Sequence, residues 1–440
     1  MVILAPLPFG MVHTVFQAFF ACMMMSLLAV YCMIRLKESQ KPNVSLGRIW
    51  PETLGFLLVL VWGMLQLSSL TPESLHHPLW ADTAQALDMD IKGSISLAKG
   101  AGFESIMRLL TYGAVFFLGL QLGRDRNQAS LLIWAVGLSA TAYALYGLIL
   151  YFGKFEMILW VETESAIRNV SGTFINRNNF ATYIGMGLLC SAGLYLDGFF
   201  NVIRSGRTGR DKIFHVMQQT FVRGAPLLAC ILVLLTALFL TRSRGGITTS
   251  LSSMLVLIVF LGLMTRLHSR TYRILTAMLL ATAIGVFFLS GEGWMDRLMA
   301  MDLDHERRIE AYKQTWKAIS LSPWTGYGIG GFPQTFSMFA DESTGNFMRA
   351  HNDWLEMIFE LGFPAAVLWF IVLAGLTLRC LWGFFRRRRD HMYPVIGFCA
   401  GLLVGLHSLV DFSLQIPAVA VTFSVLLGVG VGQSRSSVKP

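Results

Sequence analysis

Hydrophobic residues run along this chain in long blocks separated by short polar segments. A helix that crosses a bilayer needs about 20 apolar residues on all faces, whereas a soluble helix is apolar on one face. The blocks predict membrane spans at 11–34, 53–70, 106–123, 130–152, 179–200, 224–241, 247–265, 274–291, 353–382, 394–409 and 417–432. We therefore expect an all-α polytopic membrane protein with about 11–12 transmembrane helices, forming a single integral membrane domain over residues 1–440.

Composition agrees with a membrane setting. The chain is 54% hydrophobic and 14% charged, whereas soluble domains carry about 25% charged residues. These values exclude a disordered chain, a collagen-like chain and a cytosolic enzyme. Segment 11–34 lacks a signal-type cleavage site, so we expect it to be retained. The six cysteines are predicted to be core residues because all lie in apolar blocks: Cys22, Cys32, Cys190, Cys230, Cys380 and Cys399.

The polar segments alternate in charge. Most of the 35 lysines and arginines fall in one set of loops, whereas most acidic residues fall in the other set. Positive loops face the cytoplasm, so the acidic set is predicted to face outward. The net charge of +9 is explained by this topology and by anionic lipid, and no nucleic-acid partner is expected.

The longest outward segment, 291–352, is too long for a simple connector. Four apolar residues stand at helical spacing within 307–320: Ile309, Tyr312, Trp316 and Ile319. We expect an amphipathic helix at the outer interface. A lid that packs on the bundle without a chemical role is the alternative for this stripe.

The acidic outer face also carries a concentrated set of arginines: Arg168, Arg177, Arg242, Arg244, Arg307, Arg308 and Arg349. Arg242 and Arg244 lie in TRSRGG, a tight turn between two spans. Guanidinium groups bind phosphate oxygens bidentately and do not lose their charge. Ionisable groups at a membrane boundary are costly and indicate function, although anchoring to lipid head groups is the alternative for each one.

His351 opens the helix AHNDWLEMIFELG, residues 350–362, at the outer end of a span. An imidazole titrates near neutral pH and accepts a proton from a hydroxyl group. Beside Arg349 it is predicted to be a general base, and a structural histidine is the alternative. Asn176, Arg177 and Asn178 at another outer helix end suit sugar hydroxyls, but helix capping explains them equally well.

Other motifs give weaker signals. Gly326, Gly328 and Gly331 match G-x-G-x-x-G, but no strand precedes them, so a nucleotide fold is not predicted. A tight turn or an anion-binding nest fits better. The triplets 88–90 and 302–304 resemble D-x-D metal clamps but arise easily by chance, and neither a metal nor a cofactor is predicted. His407 and Asp411 are one helical turn apart and are expected to form an ion pair.

TRSRGG, RRIEAYKQTW followed by SPWTGYGIGGF, and the HNDWLE helix together resemble the O-antigen ligase and polysaccharide polymerase superfamily of bacterial inner membranes. The likeness covers residues 170–365. It implies a multi-helix C-type glycosyltransferase with a large periplasmic loop, here 291–352. Such enzymes transfer a glycan from undecaprenyl diphosphate to a hydroxyl acceptor, with inversion and without a metal.

The resemblance also implies residue roles. Arg242 and Arg244 match the arginines assigned to the diphosphate, Arg308 the loop arginine, and His351 the residue that activates the acceptor. From their positions, we add candidate diphosphate ligands and candidate glycan ligands: Arg307 and Arg349 for the first group, and Asn176, Arg177, Asn178 and Asn352 for the second. Tyr312 stands where the family more often has tryptophan.

The ending HSLVDFSLQIPA is similar to members found with exopolysaccharide systems, which favours a polymerase. A ligase that transfers the glycan to lipid A core or to protein is the alternative within the family. A polyprenyl-lipid or polysaccharide transporter is the alternative from another class, but the chain shows no internal repeat of the kind transporters have. The predicted partners are the lipid-linked donor, a glycan, lipid or protein acceptor, and the bilayer of the inner membrane.

Overall fold

The computed structural model describes residues 1–163, 165–204, 209–263, 294–340, 349–387 and 389–435. The predicted span 274–291 lies outside these residues. Each of the other ten predicted spans coincides with a helix. In the described part, seven helices are long and apolar enough to cross a membrane, or eight if the bent pair Gly209–Arg223 and Ala225–Leu240 is one span. The predicted all-α polytopic class is confirmed.

The described helices, numbered along the chain, are α1 (Thr14–Lys37), α2 (Trp50–Leu67), α3 (Leu79–Leu87), α4 (Lys99–Leu122), α5 (Arg126–Gly153), α6 (Ser165–Arg168), α7 (Arg177–Arg204), α8 (Gly209–Met217), α9 (Ala225–Leu240), α10 (Arg244–Leu263), α11 (Trp294–Leu321), α12 (Phe332–Thr335), α13 (Asp353–Arg386), α14 (Met392–His407) and α15 (Pro417–Gly432). A short antiparallel hairpin of β1 (Met157–Ile158) and β2 (Val161–Glu162) precedes α6.

Helix α15 forms the centre of the bundle. It has 16 residues, of which all but one are buried, and it packs against α4 and α14. A Cβ added at Gly428 would lie 2.6 Å from the Phe116 carbonyl oxygen, so small residues bring α15 and α4 into close backbone contact. Because protein rather than lipid surrounds α15, the bilayer thickness does not set its length.

The predicted amphipathic helix is present in α11, which extends well beyond the predicted start. Two residues of the predicted apolar stripe, Ile309 and Trp316, are exposed, whereas Ile319 is buried. Thr315 and Ala318 are buried with Ile319, and α11 packs against α13. Small residues such as Ala318 allow the two helices to approach closely. The buried face of α11 is therefore the face that contacts α13.

Helix α13 is interrupted near its outer end. Pro364 has no N–H, so the Glu360 carbonyl loses its helical partner. Gly362 has φ 74° and ψ 163°, a conformation restricted to glycine. The Glu360 carbonyl instead accepts hydrogen bonds from Gly328 N at 3.0 Å and Gln66 Nε2 at 2.9 Å.

The glycine-rich segment 322–332 is therefore a clamp on α13. Tyr327 N donates to the Phe359 carbonyl at 3.0 Å, and Gly331 N donates to the Gly328 carbonyl at 3.1 Å. A Cβ at Gly326 would lie 2.4 Å from the Glu360 carbonyl oxygen. The glycines make a tight turn and a close backbone approach, as predicted. The N–H groups at the end of the segment bind an acidic side chain of the protein itself, since Phe332 N donates to Glu360 Oε1 at 3.1 Å.

We predict that Gly362→Ala destabilises the protein by at least about 2 kcal/mol, since its backbone conformation is strained for any residue with a side chain. The new Cβ would also lie 2.5 Å from the Trp324 carbonyl oxygen. Thermal unfolding in detergent measures the effect. Gly405→Ala is the matched control, because a Cβ there meets nothing within 4 Å. Equal unfolding temperatures for the two variants would contradict the clamp.

Candidate active site

His351 lies in a constrained turn directly before α13. Its φ is 49°, and its carbonyl accepts a hydrogen bond from Tyr312 Oη of α11 at 2.9 Å. The imidazole Nδ1 is 3.5 Å from Asp411 Oδ1, and the ring packs edge-on against Phe412 at 4.9 Å. The His351 side chain is 20% exposed, so it is held in place on one side and open on the other.

Asp411 lies in the loop after α14 and is almost fully buried. Burial alone would raise its pKa, but the hydrogen bond from His351 and the charges of His407 and His351 hold the pKa of Asp411 below its usual value. Asp411 is thus an ionised carboxylate beside the imidazole of His351. Its carboxylate contacts His351, whereas His407, its predicted partner, acts on it through charge.

His407 joins the loop after α14 to α7. Its Nδ1 lies 3.0 Å from Thr182 Oγ1 and 2.9 Å from Ser413 Oγ. Ser413 Oγ in turn donates to Asn179 Oδ1 at 3.1 Å. On the other side of the ring, a Cβ built on Gly245 would lie 3.5 Å from Nε2. The arginine-bearing turn therefore packs directly against the His407 ring.

The turn between α9 and α10 is rigid. Ser243 is buried, and its Oγ accepts a hydrogen bond from Gly246 N at 3.2 Å, which caps α10. Arg242 has φ 55°. The side chains of Arg242 and Arg244 are exposed, and neither makes an ion pair or a hydrogen bond with another described residue. Two guanidinium groups are thus presented from a fixed backbone.

Arg308 reaches the same region from α11, one turn before Tyr312. Burial raises the pKa of Tyr312, and the positive charge of Arg308 opposes that shift. Asp411 also acts on Tyr312, so Arg308, Tyr312, Asp411 and His351 are close neighbours. The backbone of Arg307 lies in α11, but its side chain is outside the described residues.

Arg349 is placed differently from the prediction. Its Nη1 lies 2.7 Å from Oε1 of Glu356, a fully buried carboxylate. Burial would lower the pKa of Arg349, but Glu356 raises it overall. Glu356 Oε2 also accepts a hydrogen bond from Ala350 N at 3.1 Å. The pair therefore fixes the turn that carries His351, and the guanidinium of Arg349 is occupied by protein.

The asparagines near the site serve as helix caps. Asn352 Oδ1 accepts from Leu355 N at 3.0 Å at the start of α13. Asn176 Oδ1 accepts from Asn178 N at 2.8 Å at the start of α7. Arg177 Nη1 donates to Asn169 Oδ1 at 2.7 Å. These bonds match the capping alternative. The side-chain oxygens of Asn176 and Asn352 are each already bonded to a backbone N–H.

A large apolar cavity of about 810 Å³ lies beside this site, between α2, α4, α13, α14 and α15. Arg108, Asp353 and Glu360 line one end, and Glu52 lines the other. Sequence reasoning missed Arg108, although a charged residue inside the predicted span 106–123 is itself a signal of function. Most of the other lining residues are apolar.

Neither acidic triplet is placed in the candidate active site. Asp88 and Asp90 are exposed after α3, and the side chains of 302–304 lie outside the described residues. In the described ranges, no three His, Cys, Asp or Glu side chains are grouped so that they could hold a metal ion.

Residues 229–370 match the family described as O-antigen ligase. The matched segment contains the arginine turn, α11, the glycine clamp and the start of α13. A search of curated proteins finds no match. The match covers about a third of the chain and supports the predicted resemblance to the O-antigen ligase and polysaccharide polymerase superfamily, whose enzymes are of the glycosyltransferase type.

We predict that Glu356→Gln lowers the free energy of unfolding by about 2–3 kcal/mol, because it leaves a mostly buried guanidinium without its counter-charge. This value allows for the 23% exposure of the Arg349 side chain. Thermal unfolding of the purified protein tests it. Glu310→Gln is the control, since the Glu310–Lys313 pair is exposed and should change stability by less than about 1 kcal/mol. Similar losses in both variants would show that the buried pair has no special role.

Proposed function

We propose that the protein is an inverting, metal-independent glycosyltransferase. It moves a glycan from undecaprenyl diphosphate to a hydroxyl acceptor, at a site on the periplasmic face of the bacterial inner membrane. The observation that carries the proposal is the packing of the Arg242–Arg244 turn on His407, whose carbonyl accepts a hydrogen bond from Asp411 N, while the Asp411 carboxylate contacts His351. This chain of contacts supports a site in which the turn arginines bind phosphate and His351 is the base.

The arginines suit the departing diphosphate. As the anomeric carbon–oxygen bond breaks, its electron pair and the negative charge move onto the leaving phosphate. Guanidinium groups already fixed in position stabilise this charge without reorganisation, which is worth a few kcal/mol per donor. Arg242, Arg244 and Arg308 take this role, and their positive charge provides the stabilisation that a metal supplies in other transferases.

His351 suits the acceptor. The acceptor hydroxyl attacks the anomeric carbon from the face opposite the diphosphate and gives its proton to the imidazole. With Nδ1 directed at Asp411, Nε2 is the atom that receives this proton, and the Asp411 carboxylate stabilises the resulting imidazolium. Single displacement of this kind inverts the anomeric centre.

The cavity suits a lipid-linked donor. Its volume of about 810 Å³ and mostly apolar lining fit part of a polyprenyl chain, and the diphosphate is assigned to Arg242, Arg244 and Arg308. We favour a polymerase over a ligase because the ending HSLVDFSLQIPA is similar to members found with exopolysaccharide systems. A ligase for lipid A core or protein would use the same chemistry with another acceptor.

The test is a transfer assay with the purified protein in nanodiscs, a lipid-diphosphate-linked oligosaccharide and a glycan acceptor, in excess EDTA. We expect undiminished transfer by the wild type. His351→Ala should abolish turnover while the donor still binds, because the base acts only on the acceptor. Loss of activity that magnesium or manganese restores would contradict the metal-independent mechanism, and an active His351→Ala variant would exclude His351 as the base.

We predict that Arg242→Lys and Arg244→Lys each reduce kcat by about 10²-fold, as expected for the loss of an oriented donor at a developing negative charge. Lysine keeps the charge but loses the bidentate geometry. Steady-state kinetics in the same assay measure the effect. Arg389→Lys, an exposed position in the predicted cytoplasmic loop, is the control. If both turn variants match this control, phosphate recognition lies elsewhere.

A further inference from the structure

Two buried polar atoms of cavity-lining residues have no hydrogen-bond partner among the described residues. They are Tyr112 Oη of α4 and Asp353 Oδ1 at the start of α13. Both residues line the cavity, and Asp353 is 3% exposed. An unsatisfied buried polar atom is costly and rare in native proteins. Two of them at one end of one cavity indicate a ligand that completes their hydrogen bonding.

Asp353 is held firmly in this position. Its Oδ2 accepts from Ser408 Oγ at 2.8 Å and from Leu414 N at 3.0 Å. These two bonds fix the carboxylate plane, so that Oδ1 is left as an oriented acceptor. The same bonds tie Asp353 to the loop that carries Asp411, which places the acceptor oxygen close to the His351 site.

Tyr112 and Arg108 lie one turn apart on α4 and line the same end of the cavity. Arg108 Nη2 donates to Ser105 Oγ at 2.6 Å, which orients its guanidinium. The charges of Arg108 and Arg349 both act on the Tyr112 hydroxyl, and Arg349 in turn interacts with Asp353 and Glu360. One polar cluster therefore includes a carboxylate oxygen, a hydroxyl and a guanidinium.

We propose that Arg108, Tyr112 and Asp353 form a sugar-binding subsite that recognises hydroxyl groups of the donor glycan next to the diphosphate. The carboxylate accepts from a sugar hydroxyl, the phenol both donates and accepts, and the guanidinium donates. The cluster holds one guanidinium beside the two carboxyl groups of Asp353 and Glu360, a set that suits sugar hydroxyl groups better than a phosphate. The inference rests on the proposed function, and it moves sugar recognition from the capping asparagines to this cluster.

Tyr112→Phe gives the sharpest test, because the removed hydroxyl makes no bond to a described residue. A purely structural role predicts unchanged or slightly higher stability and no change in binding. The probes are polyprenyl diphosphate carrying one N-acetylglucosamine and the same lipid without sugar, titrated against full-length protein in nanodiscs. We expect binding of the sugar-bearing lipid to weaken about ten-fold, with the sugar-free lipid unaffected. Asp353→Asn should show the same selective loss.

Tyr183→Phe is the matched control. Tyr183 is buried away from the cavity, and its hydroxyl lies 2.9 Å from Ser139 Oγ, so the variant should lose stability but bind both lipids normally. Equal weakening of both lipids by Tyr112→Phe would overturn the sugar assignment in favour of the diphosphate. Unchanged binding of both would remove the subsite altogether. A wild type that binds neither lipid would instead refute the proposed function, and this inference with it.

Discussion

The interruption of α13 is the constraint on which the outer half of the structure depends. Inside a membrane every backbone polar group needs a partner, and Pro364 deprives the Glu360 carbonyl of its own. Gly328 N and Gln66 Nε2 supply that partner, so the glycine clamp and α2 are bound to α13 at one point. This contact anchors the chain that follows α11, and α11 in turn reaches His351 through Tyr312.

The arginines of the outer region differ in whether an acidic side chain neutralises them. Arg349 and Glu356 neutralise each other and fix the turn before α13, whereas Arg242 and Arg244 have no acidic partner among the described residues. A paired arginine stabilises structure, and an unpaired one on a rigid turn is available to an anionic ligand. Asp411 completes the arrangement, because its ionised carboxylate gives the imidazole a fixed orientation.

Several features depend on contacts between distant residues that spacing along the chain does not show. The buried face of α11 follows from its close packing on α13, while Ile309 and Trp316 of the apolar stripe remain exposed. In the sequence Arg349 resembles the other outer arginines, but in the structure it forms an ion pair with Glu356. Spacing along the chain suggested His407, one turn away, as the partner of Asp411. In the structure the Asp411 carboxylate contacts the imidazole of His351.

What the sequence determined by itself is the membrane class, the helices at ten of the predicted spans, and the arginine turn and histidine matched by the family. These features follow from apolar block length, local turn chemistry and contiguous motifs, all of which are local along the chain. Only the tertiary structure decided which charges pair and that Arg108, Tyr112 and Asp353 line one cavity. Those properties depend on which side chains meet across helices, and spacing along one chain does not fix that.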